Sequence, residues 1–231
     1  MATIPENTGL ISLPLAIWGT GYAQCLPQWW KGVESLETKP DEIIIVTDDQ
    51  NLPAVMDSIP QWADVRVIKE NLNSYAEYWN RAISLCSKKW IALCNVDDYF
   101  LPKGLNSIPA AEAHGKNLVC DAILTKDSDH VQQTMWIPFD LAHDFQLGGA
   151  NPMTKALWQA AGGFPEGIRF ADWGLALGMR KTGLVEPYMT SEIRIVYDRG
   201  YDRLTLSGAR LGPDERAEGN RQIHELARAL G

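Results

Sequence analysis

Basic residues are in short supply in this sequence: 21 Lys and Arg stand against 29 Asp and Glu, for a net charge of −8. Proteins that bind nucleic acid along an extended groove concentrate cations to neutralise phosphates, so the deficit argues against such a groove, though not against a local basic patch. Cysteine is sparse too. Cys25, Cys86, Cys94 and Cys120 are widely spaced, none forms a C-x-x-C pair, and Cys94 and Cys120 sit inside apolar runs. They read as reduced core thiols, not as disulfides or zinc ligands. The four histidines, His114, His130, His143 and His224, are scattered, which argues against a histidine-rich metal site. Any metal bound here is therefore expected to be held mainly by oxygen. No run approaches the roughly 20 apolar residues of a membrane span, and the stretch MATIPENTGLISLPLAIWGTG has no basic region ahead of its short apolar run. These absences lead to the expectation of a cytoplasmic protein without a transmembrane segment.

What is present is an ordinary folded composition, 45% hydrophobic and 22% charged over 231 residues, enough to bury a core without staples. One domain is expected over residues 1–231, with no internal repeat and no linker. Strand-like and helix-like patterns alternate through the first half, the signature of βαβ units and a parallel sheet. Residues 10–17 (LISLPLAI), 42–47 (EIIIVT), 64–69 (DVRVIK) and 90–94 (WIALC) read as strands. Between them, helices are expected over 22–36, 52–59 and 73–86, the last two marked by Pro53 in a first turn and by an aromatic face. The second half is less regular. A helix is expected over 102–114, strands over 118–125, 132–137 and 192–197, a loop over 139–152, helices over 154–161 and 172–182, another loop over 198–213, and a terminal helix over 213–230.

Two of the strands end in acidic pairs, Asp48-Asp49 and Asp97-Asp98. Ligands of open α/β sheets bind beyond the carboxyl ends of the strands, so two such ends converging is better evidence of a site than either alone. Taken in order, IIIVTDDQ, ENLNSYAEYWNRAI, KWIALCNVDDYFLPKGL and AAGGFPEGIRFADWGLALGMRKTG resemble the successive motifs of family 2 glycosyltransferases, nucleotide-sugar enzymes of the GT-A fold. The resemblance spans roughly residues 11–205. It implies a GT-A-like, Rossmann-type α/β architecture, a mostly parallel sheet flanked by helices. Residues 1–100 would form the nucleotide-binding half, 101–212 the acceptor and catalytic half, and 213–231 a C-terminal helix.

Residue by residue, the resemblance makes Asp97 and Asp98 the ligands of Mn²⁺ or Mg²⁺ on the donor diphosphate, because hard cations favour carboxylate oxygen and bridge to phosphate. Asn95 stands where the family has the first aspartate of its D-x-D motif, so an amide oxygen replaces a charge and can meet a ribose hydroxyl or the cation. Asp48 and Asp49 match the segment that contacts the nucleoside, with Gln50 and Asn51 in place of Gly and Ser. A capped loop ahead of the Pro53 helix is the plain alternative. Asn71 and Asn80 flank the helix that packs beneath the nucleotide, Asn80 supporting the site from below. Asp172 keeps the aspartate of the family's acidic pair, with Ala171 for the glutamate, and is the expected base that deprotonates the acceptor hydroxyl during inverting transfer. A helix cap is its plain reading, and Glu166 the fallback base. Residues 197–203 lie where the family often carries a metal-binding histidine, and none occurs here: Asp198 or Asp202 substitutes, the metal has fewer protein ligands, or, the favoured reading, Arg199 or Arg203 takes over phosphate contacts. Trp136 and Trp173 are placed near the acceptor, and the G-x-G turn at Gly19 and Gly21 near the nucleotide.

The function this implies is metal-assisted transfer of a sugar, with inversion, from a nucleotide-diphosphate donor, UDP favoured, to a hydroxyl acceptor, a glycan or other. Hydroxymethylated DNA is the less favoured acceptor because the chain is acidic. The competing expectations are a nucleotide-sugar-binding protein without transfer, and a nucleotidyltransferase on a similar sheet, against which WGTGYAQC lacks a basic residue.

Overall fold

The computed structural model describes residues 9–19, 21–126, 131–135, 151–198 and 212–230. Their strands form one sheet in the order β3-β2-β1-β4-β8-β6-β9-β5, with β7 paired to β6 off that path. The first block is parallel: β1 (Ile11–Ile17) lies between β2 (Glu42–Thr47) and β4 (Trp90–Ile91), and β3 (Val65–Lys69) forms the edge. β1 is buried at every position and β2 at all but the first, as expected of apolar strands covered on both faces. The expected mostly parallel sheet is thus borne out in the first half.

The helix α1 (Leu26–Ser35) begins four residues later than the sequence pattern suggested, because Pro27 fits only a first turn and residues 23–25 make a 3₁₀ turn instead. α2 (Leu52–Ser58) and α3 (Tyr75–Leu85) follow the expectation closely, and Ser74 caps α3 by accepting the Glu77 N–H at 3.2 Å. Buried faces of α1 and α3 carry Trp29, Trp30, Tyr78 and Trp79 against the sheet.

β4 is shorter than expected, and the reason lies in its neighbour. Leu10 and Ser12 offer their carbonyls to Trp90 N and Ala92 N, so by strand alternation Pro14 faces the same side. It has no N–H to extend the ladder. The chain therefore leaves the sheet after Ile91 and carries residues 92–98 outward before β5 (Tyr99–Phe100).

The second half mixes directions. After α4 (Ser107–Ala113), β6 (Leu118–Lys126) pairs with β7 (Val131–Met135) and β8 (Met153–Thr154) antiparallel, and with β9 (Pro187–Asp198) parallel across a register shift near Ala122. β9 also takes β5 antiparallel, which brings the chain segment after the acidic turn back onto the sheet. α5 (Lys155–Ala160) and α6 (Ala171–Thr182) follow, the latter closed by Gly183 at φ +65°, and α7 (Pro213–Leu230) packs on α6. Among the described residues no helix is long and apolar enough to cross a membrane.

Candidate active site

β1, β2 and β4 run the same way, so the segments after them emerge at one edge of the sheet. Asp48, just past β2, is half-buried and its carboxylate joins two of these segments. Oδ2 accepts the Gly19 N–H at 2.7 Å, while Oδ1 accepts both the main-chain and the side-chain N–H of Asn51 at 2.8 Å. Asn51 in turn gives its amide to the Gly19 carbonyl at 2.7 Å. Gly19 lies at φ +71°, a conformation in which a side chain is strained. Asp48 is therefore first of all a bracket that fixes the β1 turn, and on Oδ2 it retains accepting capacity toward a nucleoside. Asp49 points to solvent, ion-paired with Lys69 at 3.0 Å and holding Asn71 at 2.7 Å, contacts that keep its carboxyl below the ordinary range.

Asn95, Asp97 and Asp98 occupy the outward turn between β4 and β5. Asp98 is 2% exposed. Its main-chain N–H closes the turn on the Asn95 carbonyl at 3.1 Å, and Asn95 Nδ2 approaches its Oδ2 at 3.4 Å. A buried aspartate followed by two sheet residues is not a solvated turn.

Asp172 lies far along the chain, in the first turn of α6. The link is Tyr75, at the start of α3. Burial pushes its phenol well above the ordinary value, and the charges of Asp172, Asp97 and Asp98 push it in the same direction. One phenol thus feels all three carboxylates. Asp172 is the second residue of α6, whose cap position is Phe170, and it accepts the adjacent Trp173 N–H at 3.0 Å. Asp172 thus satisfies a first-turn N–H of α6 without occupying the cap position.

Around Tyr75 stands an aromatic wall continuous with the core. Trp18 packs edge-on to Tyr75 at 5.6 Å and stacks on Tyr78 and Tyr22 at 5.5 and 5.8 Å. Phe164 meets Tyr75 edge-on at 5.7 Å. The signal that marks Trp18 was available: it follows the end of β1 as the acidic pairs follow β2 and β4.

Asn80 does hold the site from beneath. Its amide donates to the Phe164 carbonyl and accepts the Phe164 N–H, both at 2.8 Å, which staples the GGFPEG loop to α3. The staple uses one of the two amide N–H groups and one lone pair of the amide oxygen. Gly163 sits against this staple at φ +75°, where an added Cβ would come within 2.7 Å of Asn80 Oδ1. Glu166 is exposed and lines an open groove of about 420 Å³ with Glu77, Asn80, Arg81 and Trp158, a lining that does not include Asp97, Asp98 or Asp172. Arg199, Arg203, Asp202 and Trp136 lie outside the described residues.

Among the described residues no group of three or more His, Cys, Asp or Glu side chains is spaced to hold a metal ion. A cation of the Mg²⁺ type commonly takes one or two carboxylates and completes its shell with water and the substrate's phosphates. Asp97 and Asp98 supply such a donor pair of hard oxygens, and the buried Asp98 gives it one fixed member.

Residues 21–165 match the family model described as Glycosyl transferase family 2. Among solved structures, the chain is similar to S. aureus TarS 1-349 in complex with UDP-GlcNAc, with TM-score 0.75, 14% identity, and coverage of 94% of this chain and 66% of that one. The same protein in complex with UDP gives TM-score 0.69 at 15% identity, covering 94% and 65%. Mannosyltransferase PcManGT from Pyrobaculum calidifontis, in complex with GDP-Man and Mn2+, gives TM-score 0.58 at 12% identity, covering 95% and 73%. At these identities the likeness shows the fold, and the chain spans just under two thirds of the TarS structures it matches. No curated protein matches.

Proposed function

The chain belongs to glycosyl transferase family 2, and on that premise we propose that it is a glycosyltransferase that moves a sugar from a UDP-linked donor to a hydroxyl acceptor with inversion, using Asp172 as base. What supports this reading is that Asn80 staples the loop leading to Asp172 onto α3 and Phe164 of that loop packs on Tyr75, the buried phenol on which the charges of Asp172, Asp97 and Asp98 all bear. In-line displacement requires a donor site and a base side by side.

Asp97 and Asp98 would hold Mn²⁺ or Mg²⁺. That ion supplies charge neutralisation on the diphosphate as it departs. Asp172 receives the proton of the acceptor hydroxyl while its oxygen forms a bond to the anomeric carbon, and the bond from that carbon to the diphosphate oxygen breaks on the opposite face. Asp48 shapes the nucleoside end by fixing the Gly19 turn, and Asn95 presents an amide beside Asp98. Arg199 and Arg203 serve the phosphates. The preference for UDP rests on the two TarS complexes, which hold UDP-GlcNAc and UDP, and the metal on the GDP-Man and Mn2+ complex of PcManGT. We treat residues 1–231 as one domain, a division supported by the single sheet that runs through both halves. A glycan is the acceptor class we favour, given the net charge of −8.

The test is release of nucleotide from UDP-GlcNAc, UDP-glucose and GDP-mannose with Mn²⁺ present, followed over hours without an added acceptor and then with candidate glycans. Turnover of a UDP-sugar that an acceptor accelerates supports the reading. Turnover of GDP-mannose alone would move the donor assignment, and silence across the panel would remove the proposed activity.

A further inference from the structure

The most unusual pair in the core lies directly behind the acidic turn. Arg194, on β9, and Asp121, on β6, are each 1% exposed and meet through Nε and Oδ2 at 2.5 Å. The pair is incompletely satisfied: Arg194 Nη2 and Asp121 Oδ1 are buried without a hydrogen-bond partner. Burial pushes the Asp121 carboxyl upward, and Arg194 opposes that shift. A buried ion pair is a poor way to gain stability, since an apolar replacement of similar volume is often as stable or more so.

Its geometric effect is more specific. Arg194 Nη1 donates to the Leu93 carbonyl at 3.1 Å, two residues before Asn95. The main-chain carbonyl of the same Arg194 accepts the Leu101 N–H at 2.9 Å, three residues after Asp98. Between these anchors the descending limb is laid on β9, Tyr99 opposite Val196 and Phe100 opposite Ile195. The ascending limb receives one more hold, from Trp29 Nε1 to the Cys94 carbonyl at 3.3 Å. Gly104 closes the far side so tightly that a Cβ there would stand 2.8 Å from the Arg194 carbonyl. Residues 93–101 therefore form a loop whose two feet stand on a single residue.

We propose that Arg194, oriented by Asp121, is a positioning residue of the donor site: it fixes the separation of the two limbs and so sets where Asp97 and Asp98 present their carboxylates to a divalent cation and diphosphate. The inference rests on the proposed role of those aspartates. The guanidinium also contributes charge at close range. The buried Cys94 thiol, raised first by burial and then by Asp98, is drawn back by Arg194 before Asp97 adds its own push, which puts the cation within electrostatic reach of the turn. Lysine cannot replace it, because one ammonium on a flexible stem does not offer the rigid fork that spans Asp121 and Leu93 together.

The experiment is calorimetric titration of the full chain with UDP, and separately GDP, each with and without Mn²⁺. It compares wild type with Arg194→Met, Arg194→Lys, Asp121→Asn and Asp97→Ala, all checked by thermal melting. The readout is the gain in nucleotide affinity that Mn²⁺ confers. A merely structural role leaves that gain intact in any variant that folds. We expect it to fall by about tenfold or more in Arg194→Met, as for outer partners of metal ligands, with metal-free nucleotide affinity unchanged. Arg194→Lys and Asp121→Asn should fall between. If Arg194→Met does not fold, the lysine and asparagine variants carry the test. A full Mn²⁺ gain in the folded Arg194 and Asp121 variants, with the gain lost in Asp97→Ala, overturns the positioning role alone. A gain that survives Asp97→Ala, or no binding of either nucleotide by wild type, overturns the donor site and this inference with it.

Discussion

Asp48-Asp49 and Asp97-Asp98 leave the same edge of the sheet on either side of β1, and as sequence they look alike. The structure gives them different work. Asp48 spends both oxygens on Gly19 and Asn51, and Asp49 faces water with Lys69 and Asn71. Asp97 and Asp98 ride a loop that Pro14 has turned out of the sheet, and their charges bear on the buried Tyr75 phenol as that of Asp172 does. Two acidic pairs at strand ends thus share the edge where ligands of open α/β sheets bind and still differ in surroundings.

The contrast is open to attack at several points, the strongest being Asp172. Replacing it with Asn keeps shape and removes the base, so turnover should fall by about 10³-fold while UDP affinity is unchanged. Stopped assays of nucleotide release, paired with titration, would show this. A loss of binding in place of turnover would make Asp172 part of the donor site instead.

Asp48→Ala should act on folding. Three N–H donors lose a partly buried carboxylate, and a loss of about 2 to 4 kcal/mol is expected in urea denaturation. An unmoved midpoint in Asp48→Ala would contradict the bracket role.

Glu42, at the opposite end of β2, is a structural control. Burial raises its carboxyl, but hydrogen bonds from Ser12, Ser87 and Lys88 outweigh burial and leave it below the ordinary value. Its stabilisation is therefore present above the unfolded carboxylate range and lost as pH falls through the lower folded value. The stability difference between wild type and Glu42→Gln should shrink from pH 7 toward pH 3, and a difference that grows with acid would contradict the assignment. Asp49→Ala should be the mildest change, with no measurable shift in melting, because its ion pair with Lys69 is solvent-exposed.

Much of the fold was legible because its long elements carry strong patterns. β2 and α7 fall where the apolar and turn residues put them, and α2, α3 and α6 differ only at their ends. The two-residue strands β5 and β8 have no periodicity to read, and β4 was overextended because the residue that ends its ladder, Pro14, sits in another strand. In the site, the carboxylates were visible as strand-end acids. The hydrogen bonds that separate Asp48 from Asp97, and that commit Asn80 to Phe164, join residues up to 84 positions apart and leave no local trace. Arg194 was hidden for a related reason. In the alternating run EIRIVY it falls on the polar face of a strand, yet it is 1% exposed because Asp121 waits for it on β6.

The most direct test of the account is a crystal of the protein grown with UDP and Mn²⁺, with the metal located by its anomalous scattering. We expect one manganese between the nucleotide diphosphate and the Asn95–Asp98 turn, with a carboxylate oxygen of Asp97 or Asp98 at a coordination distance of roughly 2.1 Å. A manganese and diphosphate bound at Asp48-Asp49, or anywhere that leaves Asp97 and Asp98 without contact, would contradict it.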